Sequence, residues 1–194
     1  MLRFFSIIVG NNNYERGVYM QELEIEKRFL VPEEKIEELM GAVIADSKKM
    51  MNDVYIPNGD AHKDLRLRQK NDEFVITRKR PLVEGDSTKM METSIPLSRE
   101  EFFALAAGIE SNVEKTRYIV NVAGWRGELD IFSGRHAGLV VLEFEFKNDE
   151  DLEDFNSNQQ LGLIDITNEE WLAGGRLAEI DGNELRKKLE AFLG

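Results

Sequence analysis

The stretch Glu24-Ile25-Glu26-Lys27-Arg28-Phe29-Leu30-Val31 decides how this chain is read. In a strand, successive side chains point to opposite faces. Glu24, Glu26 and Arg28 therefore share one face, with Glu22 ahead of them, while Leu23, Ile25, Phe29 and Val31 share the other. Carboxylate oxygens suit hard cations such as magnesium, and a planar guanidinium matches phosphate oxygens. Two carboxylates and a guanidinium in file are thus suited to holding a divalent metal beside a phosphate. A plain amphipathic strand with one face in water carries the same pattern, because one-sided antiparallel sheets are common. What bears on the choice is that the pattern returns in strand after strand.

Arg66 and Arg68 share a face, continued by Lys70, against Leu65 and Leu67. Thr77 and Lys79 oppose Ile76, and Met90, Glu92 and Ser94 oppose Ile95. Lys115 and Arg117 oppose Tyr118, Val120 and Val122, while Arg126, Glu128 and Asp130 oppose Trp125, Leu129 and Ile131. Glu143, Glu145 and Lys147 oppose Leu142, Phe144 and Phe146. Helices need somewhere to bury their apolar stripes. If they pack on the apolar strand faces from outside, the charged faces line an interior or a concave cleft. There, carboxylates and basic groups compensate one another. An open sheet with its charges in water fits the composition equally well.

The strands are read near 21–31, 51–57, 63–70, 73–80, 88–95, 113–123, 125–133 and 139–147. Pro32-Glu33-Glu34 opens a helix carrying Ile36, Leu39, Met40 and Val43 at helical spacing. Ser98-Arg99-Glu100-Glu101 is a capping box for a helix to about Ala107, and Asn148-Asp149 caps another. Thr167-Asn168-Glu169-Glu170 and Asp181-Gly182-Asn183-Glu184 read as two further capping boxes. Asn71-Asp72 is a tight turn, 81–87 a longer loop, and Gly124 and Gly134 fall at turns. Residues 1–19 read as an N-terminal extension outside the fold, with Met20 a natural start, and 20–194 as one domain.

The 194 residues are enough to bury one sizeable core. No stretch approaches the ~20 apolar residues of a membrane helix. Cysteine is absent and there are only two histidines, His62 and His136, so any metal must rest on carboxylates. Both histidines stand by turns among charged residues and read as solvated. The formal charge of −12 argues against a long nucleic acid on a basic surface, though not against a small polyanion in a local basic pocket. No Walker or dinucleotide motif is present.

Taken in order, these segments resemble the CYTH superfamily, the triphosphate tunnel metalloenzymes. Glu24-Ile25-Glu26-Lys27-Arg28 matches the family's N-terminal Glu-x-Glu-x-Lys strand, with Arg28 in the final basic place. Leu65-Arg66-Leu67-Arg68 is similar to its paired arginines, and Thr77-Arg78-Lys79 to its following lysine strand. Glu114-Lys115-Thr116-Arg117-Tyr118, Glu128-Leu129-Asp130-Ile131-Phe132 and Gly138–Phe146 resemble its later strands. The resemblance implies an α+β fold: an eight-stranded antiparallel β-barrel tunnel with a charged interior and helices packed outside. It implies a cytoplasmic enzyme of triphosphate compounds using magnesium or manganese, with neither nucleic acid nor membrane as partner. Relatives are often dimers, so a homodimer is compatible. Carried over, Arg28, Arg66, Arg68, Lys79 and Arg117, with Lys115 on the same face as Arg117, would hold phosphate oxygens. Glu24, Glu26, Glu143 and Glu145 would hold metal, with Glu128 and Asp130 close by, and Glu24 and Glu26 would be the catalytic pair.

Two departures stand out. The family often has Arg-x-Glu-x-Glu where this chain, aligned on Ile95, has Thr88, Met90 and Glu92; Lys89 replaces the arginine only if the strand slips. The late helix often carries Lys, Tyr and Asn, where this chain has Trp171-Leu172-Ala173-Gly174-Gly175. The expected activity is metal-dependent hydrolysis of inorganic or organic triphosphates. The alternatives are a class IV-type adenylate cyclase and a non-catalytic polyphosphate- or nucleotide-binding module.

Overall fold

The alternating strands close on themselves. The computed structural model describes residues 6–9, 18–56, 64–158 and 161–193. Its strands are β1 (Ser6–Val9), β2 (Val18–Leu30), β3 (Lys49–Tyr55), β4 (Leu65–Lys70) and β5 (Glu73–Val83). They continue as β6 (Asp86–Pro96), β7 (Asn112–Val122), β8 (Trp125–Phe132), β9 (Val140–Phe146) and β10 (Ile164–Asp165). Eight of them form an antiparallel ring in the order β2-β6-β5-β4-β3-β7-β8-β9, and β9 returns to β2. The long strand β2 makes both seams. Its residues 20–25 pair with β6, and residues 25–30 pair with β9 on the other edge. The short strands β1 and β10 lie off the ring, each against one end of β2.

Helices α1 (Glu33–Gly41), α2 (Arg99–Ala106), α3 (Asp149–Asn158), α4 (Gly174–Leu177) and α5 (Gly182–Leu193) complete the chain. Leu39 of α1 and Phe155 of α3 pack on the outward apolar residues of β2, β7, β8 and β9, including Phe29, Val120, Leu129 and Phe144. Phe102 of α2 packs on Val54, Leu67 and Phe74 of β3, β4 and β5. The helices thus take the outer apolar faces, which leaves the charged faces inside. The Ser98–Glu101 capping box forms, Asn148 accepts from the Asp151 N–H, and Asp181 accepts from Asn183 and Glu184.

Three local expectations change. Residues 81–87 are no loop: β5 and β6 run on as a ribbon to a tight turn at Gly85, and Pro81, which lacks an N–H, is absorbed by a register shift between Pro81 and Val83. Thr167 opens no α-helix. Its hydroxyl donates to Asp165 and accepts from the Arg28 N–H, and only a 3-10 turn, Glu170–Leu172, follows. His136 is buried, not solvated, with its Nε2 bonded to the Leu177 carbonyl at 2.8 Å. His62 lies outside the described residues. Among the described residues no helix is long and apolar enough to cross a membrane.

One end of the barrel is stoppered. Leu30, Tyr55, Val113, Phe132 and Val141 each stand two residues along their strands from an inward charge, on the same inner wall. They cluster with Ile166, Leu172, Leu177 and Leu185 of the C-terminal segment.

Candidate active site

Strand register sets the inner wall. Cross-strand partners lie on the same face of a sheet, so Lys79 with Glu92, Arg117 with Asp130, Glu128 with Glu143 and Glu26 with Glu145 all point inward together. The residues expected to hold phosphate or metal lie on this wall, and the ion pairs sort most of them into three groups.

The first group joins β2 to β5. Lys79 Nζ stands 2.7 Å from a Glu24 oxygen and 2.6 Å from a Glu26 oxygen. Burial alone would raise the Glu24 carboxyl, but Lys79, Arg66 and Arg68 outweigh this and hold it below its usual range. The second group joins β3, β4 and β6. Both oxygens of Asp53 accept from Arg68, at 2.6 and 2.7 Å, in the two-pronged geometry that guanidinium favours. Arg66 donates to Glu92 at 3.0 Å and lies 3.8 Å from Asp53. Burial opposes ionisation of Asp53, yet Arg68 and Arg66 hold its pKa far below the ordinary carboxylate range. Buried Thr77 and Ser94 share a 2.8 Å hydroxyl hydrogen bond, and Ser94 lies 3.4 Å from Glu92.

The third group joins β7, β8 and β9. Asp130, wholly buried, accepts from Arg117 through Nε and Nη2 at 2.6 Å each and from Lys115. Arg117 also pairs with Glu128 and, at 2.6 Å, with Glu143. Burial, together with Arg117 and Arg68, outweighs Asp130 and lowers the Lys115 ammonium below its usual pKa. The Glu143 carboxyl moves down, because Lys115, Arg117 and Arg28 overcome its burial. Arg28 ties this group to the stopper: its Nε donates to Glu143 at 3.2 Å, and its Nη2 donates to the Leu172 carbonyl at 3.0 Å. A lysine has one nitrogen and no fork, so it could not span the two acceptors in this way.

The ion-paired cations are Arg28, Arg66, Arg68, Lys79, Lys115 and Arg117. Their carboxylate partners among the described residues include Glu24, Glu26, Asp53, Glu92, Glu128, Asp130 and Glu143. Among the described residues a single buried side-chain polar atom lacks a partner, the Arg66 Nε. No three acidic or histidine side chains among those residues gather into a ready metal cage.

Asp53, Tyr55 and Glu92 were missed as site residues. The inner face of β3 carries only two charges, Lys49 and Asp53, with Met51 between them, so alternation there is weak and did not announce Asp53. The signal lay on the neighbouring strand, because two inward arginines require a buried counter-charge. Met90 faces Glu24 on the inner wall. Lys89 does not take the missing arginine's place: it pairs in register with outward Ile25 and reaches Asp149 of α3 at 2.7 Å.

The CYTH domain profile matches residues 22–191. The chain belongs to the CYTH family. Among solved structures, the inorganic triphosphatase NE1496 is 26% identical, with a TM-score of 0.53 over 80% of this chain and 93% of its own. Two more distant structures share the fold. A candidate adenylate cyclase from Bacillus halodurans is 18% identical, with a TM-score of 0.54 over 71% of this chain and 89% of its own. The PH1012 protein from Pyrococcus horikoshii OT3 is 22% identical, with a TM-score of 0.52 over 72% and 90%. No curated protein matches this CYTH chain.

Proposed function

We propose that this CYTH protein is a divalent-metal-dependent hydrolase of triphosphate compounds, acting inside the barrel. The observation that carries the reading is the inner wall itself: inward cations interleaved with carboxylates, with one buried donor, the Arg66 Nε, left without an acceptor. An unmet buried donor costs about 1–3 kcal/mol. A phosphate oxygen is an acceptor suited to a guanidinium. NE1496, the neighbour with 26% identity, is an inorganic triphosphatase, which supports the same reading.

Arg66, Arg68, Lys79, Lys115, Arg117 and Arg28 would spread over the phosphate oxygens and neutralise charge as the terminal anhydride bond breaks. Their carboxylate partners fix where each cation stands before substrate arrives, so little reorganisation remains at the moment of reaction. Carboxylates stand among the cations of the inner wall, so a metal bound with the substrate would supply further positive charge to a polyanion. The donor set fits magnesium or manganese, which take one or two carboxylates together with substrate phosphates. Glu24 and Glu26 would hold the ion, with Glu145 across from Glu26; both Asp130 oxygens are engaged by Arg117 and Lys115. When bound, such an ion supplies charge neutralisation and water activation.

The test is product identity. The purified protein is incubated with tripolyphosphate, thiamine triphosphate or ATP, each with magnesium or manganese, and phosphate, pyrophosphate and cyclic AMP are assayed together. Phosphate release, greatest from tripolyphosphate, is expected. Cyclic AMP with pyrophosphate would replace the reading with a cyclase, and binding without turnover would replace it with a binding module.

A further inference from the structure

The C-terminal segment meets the inner wall at Gly174 as well as at Leu172. A β-carbon built there would stand 1.8 Å from the Tyr55 hydroxyl oxygen and 2.8 Å from the ring carbon bearing it. No side chain fits at those distances, so the absence of one at Gly174 is what lets the Tyr55 hydroxyl occupy its place. The ring sits in the apolar stopper, beside Val113, Phe132 and Leu172, and the residue is 8% exposed. A tyrosine hydroxyl in such surroundings needs a polar partner. Its direct register partner on β4 is Arg66, on the same inner face, so the neighbouring charged group is that guanidinium.

Arg66 therefore has three inner-wall neighbours: Glu92 on β6 and Asp53 on β3, with which it pairs, and Tyr55, its cross-strand partner on β3. None of the three accepts from its Nε, which is buried and without an acceptor. We infer that Tyr55 is a positioning residue for Arg66, seated by the close approach of Gly174, which fixes the guanidinium with its Nε–H free for a phosphate oxygen of the substrate. This rests on the triphosphate reading above. It assigns the two arginines different duties. Arg68 is committed to Asp53 through Nε and Nη2, whereas Arg66 keeps a donor in reserve.

The experiment measures kcat and KM for tripolyphosphate with magnesium in the wild type, Tyr55→Phe, Gly174→Ala and the double variant, with urea midpoints alongside. A hydrogen bond to a charged group is worth enough that KM in Tyr55→Phe should rise on the order of tenfold. A purely structural role would lower the active fraction, and so the apparent kcat, and leave KM in place. Gly174→Ala should reproduce the KM rise, because the new methyl displaces the hydroxyl, and should add little to Tyr55→Phe. If Gly174→Ala fails to fold, the KM of Tyr55→Phe decides alone. An unchanged KM in Tyr55→Phe, or full additivity of the two changes, overturns the inference. A wild type that neither binds nor hydrolyses tripolyphosphate overturns the functional reading first, and this inference with it.

Discussion

Asp130→Ala tests whether the carboxylates of the inner wall are structural counter-charges. Asp130 is wholly buried and is the common acceptor of Arg117 and Lys115. Removing one partner of a buried ion pair costs about 3–5 kcal/mol, because the remaining charge is left in a poor solvent. Two features pull the value toward the lower end. Arg117 keeps Glu128 and Glu143, and Lys115, already shifted down by its burial, can give up its proton. The expected loss is therefore about 3 kcal/mol out of a total that for natural domains is about 5–15. For a chain of this size, that corresponds to a fall in Tm of roughly 6–12 °C. Urea unfolding followed by tryptophan fluorescence reads it, provided the slope with denaturant is unchanged. The measurement is made with and without chelator. A loss under about 1 kcal/mol, or one that vanishes in chelator, would refute the counter-charge argument and make Asp130 a metal ligand instead.

Other substitutions probe the remaining parts. Glu26→Gln keeps an acceptor near Lys79, which also keeps Glu24, but removes the charge, so turnover should be lost while the protein still folds; a wild-type rate at saturating manganese would count against the assigned role. Burial lowers the pKa of His136, so the unfolded chain takes up a proton first. Stability should be full above about pH 6.5 and fall as pH drops from there through the folded value. Unfolding midpoints across that range should be flatter in His136→Gln, and an equally steep variant would point to another group. Phe155→Ala should cost about 3–5 kcal/mol by emptying the aromatic cluster with Phe29, Phe144 and Phe146 while leaving the inner wall untouched. A change in KM for tripolyphosphate would contradict that separation.

The strands and their faces were legible because alternation is a local signal, and β2, β4, β7, β8 and β9 carry it over most of their length, with Lys27 on the outer face of β2 and Ile119 on the inner face of β7 among the exceptions. Closure was not. An open sheet and a barrel share the same alternation, and only the pairing of Glu26 with Glu145 across the β2–β9 seam separates them. Asp53 escaped notice for the same reason, since its meaning depends on Arg66 and Arg68 of the next strand. The misread segments are places where a distant group wins a local contest. Thr167 has the sequence of a helix cap, but Arg28, 139 positions away, donates its N–H to the hydroxyl. His136 stands beside a turn, yet the C-terminal segment folds back and buries it against Leu177. The motif series, by contrast, was read in order along the chain and matched the family profile over residues 22–191.

The seam also governs how the chain must assemble. Arg28 and Glu143 are separated by 115 positions, and they meet only when the ring is complete. Contacts this far apart in sequence make folding slow, because the loop between them must close before they reward it. Until then, β2 and β9 each present an unpaired edge, the kind of surface on which chains associate wrongly. The same strand that supplies Glu24, Glu26 and Arg28 therefore waits longest for its neighbour. A chain interrupted before Val140 would hold most of its strands but lack β9, leaving the edges of β2 and β8 that β9 covers unpaired, and aggregation rather than a smaller stable barrel is its expected fate.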